Sequence, residues 1–271
     1  HVDIINKCTQ YSCGINLFSG PTGSGKSTSL ANHIGYCQIR DNYRREVITL
    51  EDPPEIPIVG AIQKAVLRGA ADDRVAEEKA WTDGFNTLLR LNPDWIVAGE
   101  LRLKVTMDAA LKSALTNHLT WGMLHASSAT LVPERLREEG IGMGYLSDPD
   151  IFRLFANQSL VPMLCPHCST TYVKDSNRLP EYLRQRIEKY CTPDTVRLRG
   201  PGCPGGRPDN QGHPQCHRGV LPMRTICAEV MHTDHQSLKA YRKSGAAALR
   251  RYWVQNLGGV TKTAHMIEKI N

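Results

Sequence analysis

"GPTGSGKSTSL", Gly20–Leu30, follows closely on the apolar stretch Ile15-Asn16-Leu17-Phe18. It fits the pattern G-x-x-x-x-G-K-[ST], with Gly20, Gly25, Lys26 and Ser27 in the required places. Glycines let a backbone curl until several N–H groups point into one concavity. A helix expected over roughly residues 26–37 would aim its positive end at the same point. The residues this reading assigns to a nucleotide are Gly20, Pro21, Thr22, Gly23, Ser24, Gly25, Lys26, Ser27 and Thr28. Lys26 would reach the outer phosphates, and Ser27 could ligate Mg2+. A plain glycine-rich turn is the bland alternative. The strand before the motif and the helix after it both argue for phosphate binding, though not for any particular nucleotide.

A P-loop enzyme needs acids at neighbouring strand ends, to hold Mg2+ and orient a water. "VITLEDPPE" places a short strand, Val47–Leu50, directly before Glu51, Asp52 and Glu55. "NPDWIVAGELR" places another, Trp95–Ala98, before Gly99-Glu100. In an open α/β sheet, ligands bind at that carboxyl edge. In "ALTNHLTWGMLHA", His118 and His125 bracket a third apolar strand. They lie at opposite ends of it and so cannot share a metal. His125, at the carboxyl end, is the candidate for sensing the γ-phosphate. Trp81, Phe85, Leu88 and Leu89 repeat at helical spacing before the Glu100 strand, and Met107, Leu111, Ala114 and Leu115 do so after it. Alternation of strands and helices predicts a mostly parallel sheet.

The bulk properties fit such a domain. The 271 residues suffice for one sizeable core and a smaller appendage. Aromatic residues make up only 6%, so the core is expected to be mainly aliphatic. A net charge of +6 permits an acidic partner without demanding nucleic acid or a membrane surface. The longest run without a charged residue, Ser113–Pro133, carries two histidines and an asparagine, so no stretch reads as a membrane span.

In order and spacing these boxes resemble the hexameric ATPases of type II secretion and type IV pilus assembly. "ITLEDPPE" resembles that family's Asp box, "LLRLNPDWIVAGELR" its Walker B box and "ALTNHLTWGMLHA" its His box. The resemblance implies an α/β, RecA-like P-loop core over residues 1–160 and a small zinc-binding C-terminal subdomain over 161–271. It implies ATP hydrolysis, with ATP and Mg2+ bound. Glu100 would organise Mg2+ and water, Glu51 or Glu55 would be the catalytic base, and Arg90 and Arg102 would complete the site from a neighbouring subunit. It further implies a homo-hexamer working with an inner-membrane platform protein, peripheral to the inner face of a bacterial inner membrane, without stable nucleic-acid binding. A further N-terminal domain would precede the strand into the P-loop, and this stretch does not hold one. Two departures stand out: Leu103-Lys104 where the family has an acid after the Walker B arginine, and Asn117 where it has Gly before the first His-box histidine. Two rival readings are a nucleic-acid translocase of the same fold class and a zinc-organised interaction module with a passive nucleotide-sensing P-loop.

Nine cysteines are many for 271 residues, and six of them fall between 165 and 227. Cys165-Pro-His-Cys168 resembles a thiol oxidoreductase site but lacks the βαβ setting such a site needs. Ser169 stands where attachment of a c-type haem needs His. A zinc half-site remains, completed by Cys203 and Cys216, or by His213 or His217. The surrounding "RGPGCPGGRPDNQGHPQCHRG" is too poor in apolar residues to fold unaided, and a metal would staple it. Assembly and secretion members of the resembled family carry a four-cysteine insertion here. Twelve residues separate Cys203 from Cys216, where that family often has two. Cys191 and Cys227 are expected to pack as small hydrophobes. After the cluster, "VLPMRTICAEVM" reads as a strand and "GGVTKTAHMIEKI" as a turn and terminal helix.

Overall fold

The computed structural model describes residues 1–67, 74–203 and 216–262. Their elements run, in chain order, α1 (Val2–Cys8), β1 (Gly14–Ser19), α2 (Lys26–Arg40), β2 (Val47–Glu51), β3 (Ala61–Ala65), α3 (Arg74–Leu91), β4 (Trp95–Ala98), α4 (Lys104–Leu115), β5 (Leu119–Leu124), α5 (Val132–Glu138) and α6 (Met143–Leu146). They continue with β6 (Phe152–Leu164), β7 (Thr170–Thr171), α7 (Tyr172–Asp175), α8 (Glu181–Tyr190), β8 (Arg197–Leu198), β9 (Val220–His232) and α9 (His235–Asn256). The chain divides into two compact units. One is His1–Gln158 with Glu229–Gly259, and the other is made of the described residues of Ser159–Ala228 and those from Val260 on.

The first unit is built on a sheet of order β3-β2-β4-β5-β1-β6-β9. β1 pairs in parallel with β5 and β6, β2 with β3 and β4, and β4 with β5. The sequence accounts for this arrangement. β1, β4 and β5 are buried at every position, as strands covered by helices on both faces must be. Mostly apolar residues run through them in place of an alternating pattern. α3 turns Trp81, Phe85 and Leu88 inward, and α4 turns Met107, Ala110, Leu111 and Ala114 inward. Both helices thus join Ile15, Leu17, Ile48, Leu50, Ile96 and Leu124 of the strands in one aliphatic-rich core.

The expected boundary at 160/161 puts all later residues in the second unit, but the chain comes back. β9 takes the edge beside β6, and Met231, Leu238, Tyr241, Leu249 and Trp253 enter the same core. Leaving those five side chains in water would forgo roughly 1.5–3 kcal/mol for each large one. A capping box starts α9: Asp234 accepts from the Ser237 N–H at 2.6 Å, and Ser237 Oγ accepts from the Asp234 N–H at 2.9 Å. A break at Ser244 and Gly245, the latter at φ 71°, lets both halves of α9 bury their apolar side chains.

The second unit has a modest core of its own, Tyr172, Ile187, Val196 and Leu198, with Leu179 and Cys191 packed against it. The two-residue strands β7 and β8 pair antiparallel, Thr170 opposite Leu198. Arg197 ties them to the preceding turn through Ser169 Oγ and its carbonyl, both at 2.9 Å. Of "GGVTKTAHMIEKI", all beyond Lys262 lies outside the described residues.

His33 on α2 packs its ring on Trp121, with centroids 5.2 Å apart. Burial, with help from nearby Arg40, lowers its pKa from 6.5 to about 4. The unfolded chain therefore binds the proton first. This contribution to stability is complete above pH 6.5 and is lost as the pH falls towards 4. His232 is lowered too, with the same sign. We expect the thermal midpoint to fall between those pH values, and to fall less steeply in His33→Phe. Equal slopes for the two proteins in differential scanning calorimetry would overturn this assignment.

Candidate active site at the carboxyl edge of the sheet

The P-loop joins β1 to α2, as its pattern requires. Gly25 caps α2 at φ 79° and Gly23 stands at φ 71°, backbone states that L side chains seldom adopt. At Gly20, φ is 147°, and a Cβ would collide with the Gln158 carbonyl and stand 2.8 Å from Ser24 Oγ. Pro21, Thr22, Gly23 and Thr28 are exposed, and Ser24 is buried. Lys26 Nζ donates to the carbonyls of Gly20 at 3.0 Å and Pro21 at 3.1 Å, which folds it over the loop. Burial lowers its pKa, Glu100 acts in the opposite sense, and Arg102 adds to the lowering.

Glu100 comes to the same place because β4 lies between β2 and β5. Its carboxylate is bracketed, with Arg102 Nη2 2.6 Å from one oxygen and His125 Nε2 2.8 Å from the other. The bond to Glu100 holds the Arg102 guanidinium above its ordinary pKa. His125 follows β5 and His118 precedes it. His118 is buried against the Ser113 carbonyl at the amino end of β5, away from Glu100.

The two acids of the Asp box differ in setting. Glu51 Oε1 accepts from Thr49 Oγ1 at 2.6 Å and from Gln63 Nε2 at 2.9 Å. Gln63 also donates to the Ile56 carbonyl and accepts from the Ile58 N–H, so it shapes the loop around Glu55. Glu55 itself is exposed. The structure gathers the P-loop, Glu51, Glu100, Arg102 and His125 at one edge. It does not bring Arg90 there. Arg90 sits on the last turn of α3, before the amino end of β4, whereas Glu100 follows the carboxyl end.

Sequence reading passes over four polar residues that support this site. Gln158 Nε2 donates to the Ser24 carbonyl at 2.7 Å and so fixes the P-loop. Asn157 donates to Ser19 Oγ and to the Ala126 carbonyl, each at 2.8 Å. Glu229 accepts from the Ala129 N–H at 2.8 Å. Gln63 is the fourth. The one local signal is the polar pair Asn157-Gln158 at the end of an otherwise buried run in β6.

In the second unit, the Sγ atoms of Cys165, Cys168, Cys203 and Cys216 all lie within 4.8 Å of one another. Cys165 and Cys203 stand 3.7 Å apart, as do Cys168 and Cys216. Sulfurs around a tetrahedral ion with bonds of about 2.3 Å are separated by about 3.8 Å. The donor set and the spacing fit a metal. His217 instead makes a backbone bridge to Val220, and His213 lies outside the described residues. Among the described residues, no helix is long and apolar enough to cross a membrane.

A phosphate-binding loop between β1 and α2 of a parallel sheet, with an acid and a histidine at neighbouring strand ends, defines a P-loop nucleotide-binding α/β domain. The chain belongs to the Type II/IV secretion system protein family, whose model matches residues 2–270. It is 34% identical over 174 residues to competence protein ComGA of Bacillus subtilis, covering 62% of this chain and 45% of that one. It is 30% identical over 250 residues to type II secretion system protein E of Aeromonas hydrophila, covering 92% of this chain and 44% of that one. The chain thus spans less than half the length of either relative. Among solved structures, the fold matches the Legionella pneumophila ATPase DotB with a TM-score of 0.62 at 23% identity, over 97% of this chain and 57% of that one. It also matches the pilus retraction motor PilT with bound ADP, with a TM-score of 0.58 at 21% identity, over 97% and 63% of the two chains.

Proposed function

We propose that this chain is the ATP-hydrolysing part of a ring-shaped motor that powers type II secretion or type IV pilus assembly. The observation that carries the reading is Glu100, held between Arg102 and His125 beside the Lys26 loop in a chain of this family. Lys26 and the N–H groups at the start of α2 bind the β- and γ-phosphates. A water attacks the γ-phosphorus, the bond to the ADP oxygen breaks, and the water's proton passes to a carboxylate. Mg2+ held by Ser27 and Glu100 would neutralise charge on the phosphates. Glu51 Oε1 is already engaged by Thr49 and Gln63, which makes Glu51 the anchor of its loop and leaves the exposed Glu55 as the proton acceptor. The Cys165, Cys168, Cys203 and Cys216 sulfurs would hold Zn2+ as thiolates and close the small second unit. Docking on a platform protein at the inner face of the inner membrane belongs to the same reading.

Phosphate-release assays test the chemistry. Lys26→Ala is expected to lose both nucleotide binding and turnover. Glu100→Gln and Glu55→Gln should keep binding and lose turnover, while Glu51→Gln, which retains an acceptor oxygen, should lose far less. Equal loss of binding in all four would remove these roles. Protein purified without added metal should contain one zinc per chain by elemental analysis. A folded second unit with a zinc content near zero would rule out the metal. With Mg-ATP, light scattering should give the mass of six chains. A monomer at every concentration would rule out the ring.

A further inference from the structure

Glu229 raises a question that the reaction just described does not answer. It is a carboxylate only 4% exposed, and burying such a group is costly unless it is paired or hydrogen-bonded. Its Oε2 accepts from the Ala129 N–H at 2.8 Å. Ala129 lies four residues beyond His125, in the segment that links β5 to α5. The same segment is held from its other end. Asn157, fully buried, donates to the Ala126 carbonyl at 2.8 Å, and its second N–H goes to Ser19 Oγ at 2.8 Å, at the root of the P-loop. Ser19 Oγ passes the chain on to the Ala156 carbonyl at 2.8 Å.

We propose that Asn157 and Glu229 form a two-point clamp on the loop 125–129, and that they are positioning residues that hold His125 against Glu100. The proposal rests on the hydrolytic reading for its consequence, but its geometry stands apart from that reading. His125 itself is 42% exposed, and its Nε2 lies 2.8 Å from Glu100 Oε1. An exposed side chain on a loop keeps a fixed aim only if its backbone is fixed. The clamp does this from both sides, with an amide donor at Ala126 and a carboxylate acceptor at Ala129. The Glu229 bond is buried and the Asn157 bond partly so, which limits competition from water. The two clamp residues lie on β6 and β9, neighbouring strands of the sheet. Ser19 links the clamp to the P-loop, so the loop that carries His125 and the loop that carries Lys26 share one support.

The experiment uses the full chain and reads hydrogen exchange together with turnover. In the wild type, the Ala129 amide is expected to be protected. Glu229→Leu should expose it and Glu229→Gln, which keeps an acceptor, should not. Asn157→Leu should speed exchange across 125–129. Exchange unchanged in Glu229→Leu and Asn157→Leu would overturn the clamp whether or not the protein hydrolyses ATP. Absence of wild-type turnover would instead count against the hydrolytic reading, and the exchange data would still decide the clamp. Where turnover is present, Glu229→Leu and Asn157→Leu should each lower kcat by up to about a hundredfold, as small misplacements do. Nucleotide affinity should stay within about threefold of wild type, and Glu229→Gln should restore most of kcat. In a His125→Ala background, Glu229→Leu should add little further loss, because both changes remove the same contact. Fully additive losses, or affinity falling in step with kcat, would mean that these residues serve the fold and do not act through His125.

Discussion

Parallel pairing of β2, β4, β5 and β1 is the constraint on which the site depends. Strands that run the same way end on the same edge. Leu50 pairs with Ala98, Ala98 with Gly122 and Ser19 with Leu124. The residue after each pair is then forced into company with the others, although Gly20 and His125 are far apart in sequence. Two backbone bonds carry the pairing past the strand ends: Gly99 donates to the Leu50 carbonyl at 2.8 Å, and Leu101 donates to the Met123 carbonyl at 2.7 Å. They bracket Glu100 and leave its backbone little freedom. A single slip in register would turn every side chain of the slipped strand to the other face of the sheet. The close approach of Gly99 to Glu51, where a Cβ would stand 3.0 Å from the Glu51 Cα, shows how tightly the two ends are fitted.

What could be read from the sequence is what is encoded locally. Three glycines before a lysine, a β-branched run before an acid, and apolar residues at helical spacing each report on a few neighbouring residues. They identified the P-loop, three strand ends and two helices with boundaries close to those observed. α2 runs on to Arg40 where Cys37 was expected as its end, because Gln38 is buried and ties the helix end to the Gly60 and Arg45 carbonyls. Glu229 and Gln63 carry no local signature, and Asn157 and Gln158 show only their polarity in a buried run. Their meaning comes from the neighbouring strand, and that order is a property of the whole sheet. Glu229 in particular reads as a surface acid until β9 is seen to lie beside β6. The return of α9 was hidden for a related reason. Leu238, Tyr241, Leu249 and Trp253 keep helical spacing across Gly245, but that spacing does not say which sheet they cover.

The four cysteines show the same limit from another side. Cys165 and Cys168 sit on a tight turn, where the Ser169 N–H donates to the Cys165 carbonyl at 3.0 Å. Twelve residues separate Cys203 from Cys216, many more than a compact pair needs. Loop closure grows only slowly with length, by about 0.6 kcal/mol for each doubling. A longer insertion therefore does not prevent the sulfurs from meeting, and spacing alone is a weak guide to which cysteines pair. The local fold is the better guide. The Cys165 N–H donates to the Gly219 carbonyl at 3.0 Å, which brings the strand after Cys216 to the first pair. Among the described residues, the second unit's core cluster is Tyr172, Ile187, Val196 and Leu198, which gives little apolar burial to hold that arrangement. A metal bond set would contribute far more than the core does.

The charges at the carboxyl edge explain how an acid can stand beside the lysine proposed to bind phosphate. Glu100 attracts Lys26, so an unaccompanied carboxylate there would compete with phosphate oxygens for the ammonium. Arg102 and His125 stand close to the two oxygens of Glu100, and Lys26 rests on two neutral carbonyls, not on the acid. In the proposed reaction, exchanging those carbonyls for charged phosphate oxygens strengthens each bond to the ammonium. Burial acts in the same direction, because a partly desolvated ammonium gains more from an anion than a hydrated one. Burial lowers the pKa of Lys26, and the bond to Glu100 raises that of Arg102. Arg102 is matched to the carboxylate in advance, and the charge of Lys26 is left for the ligand.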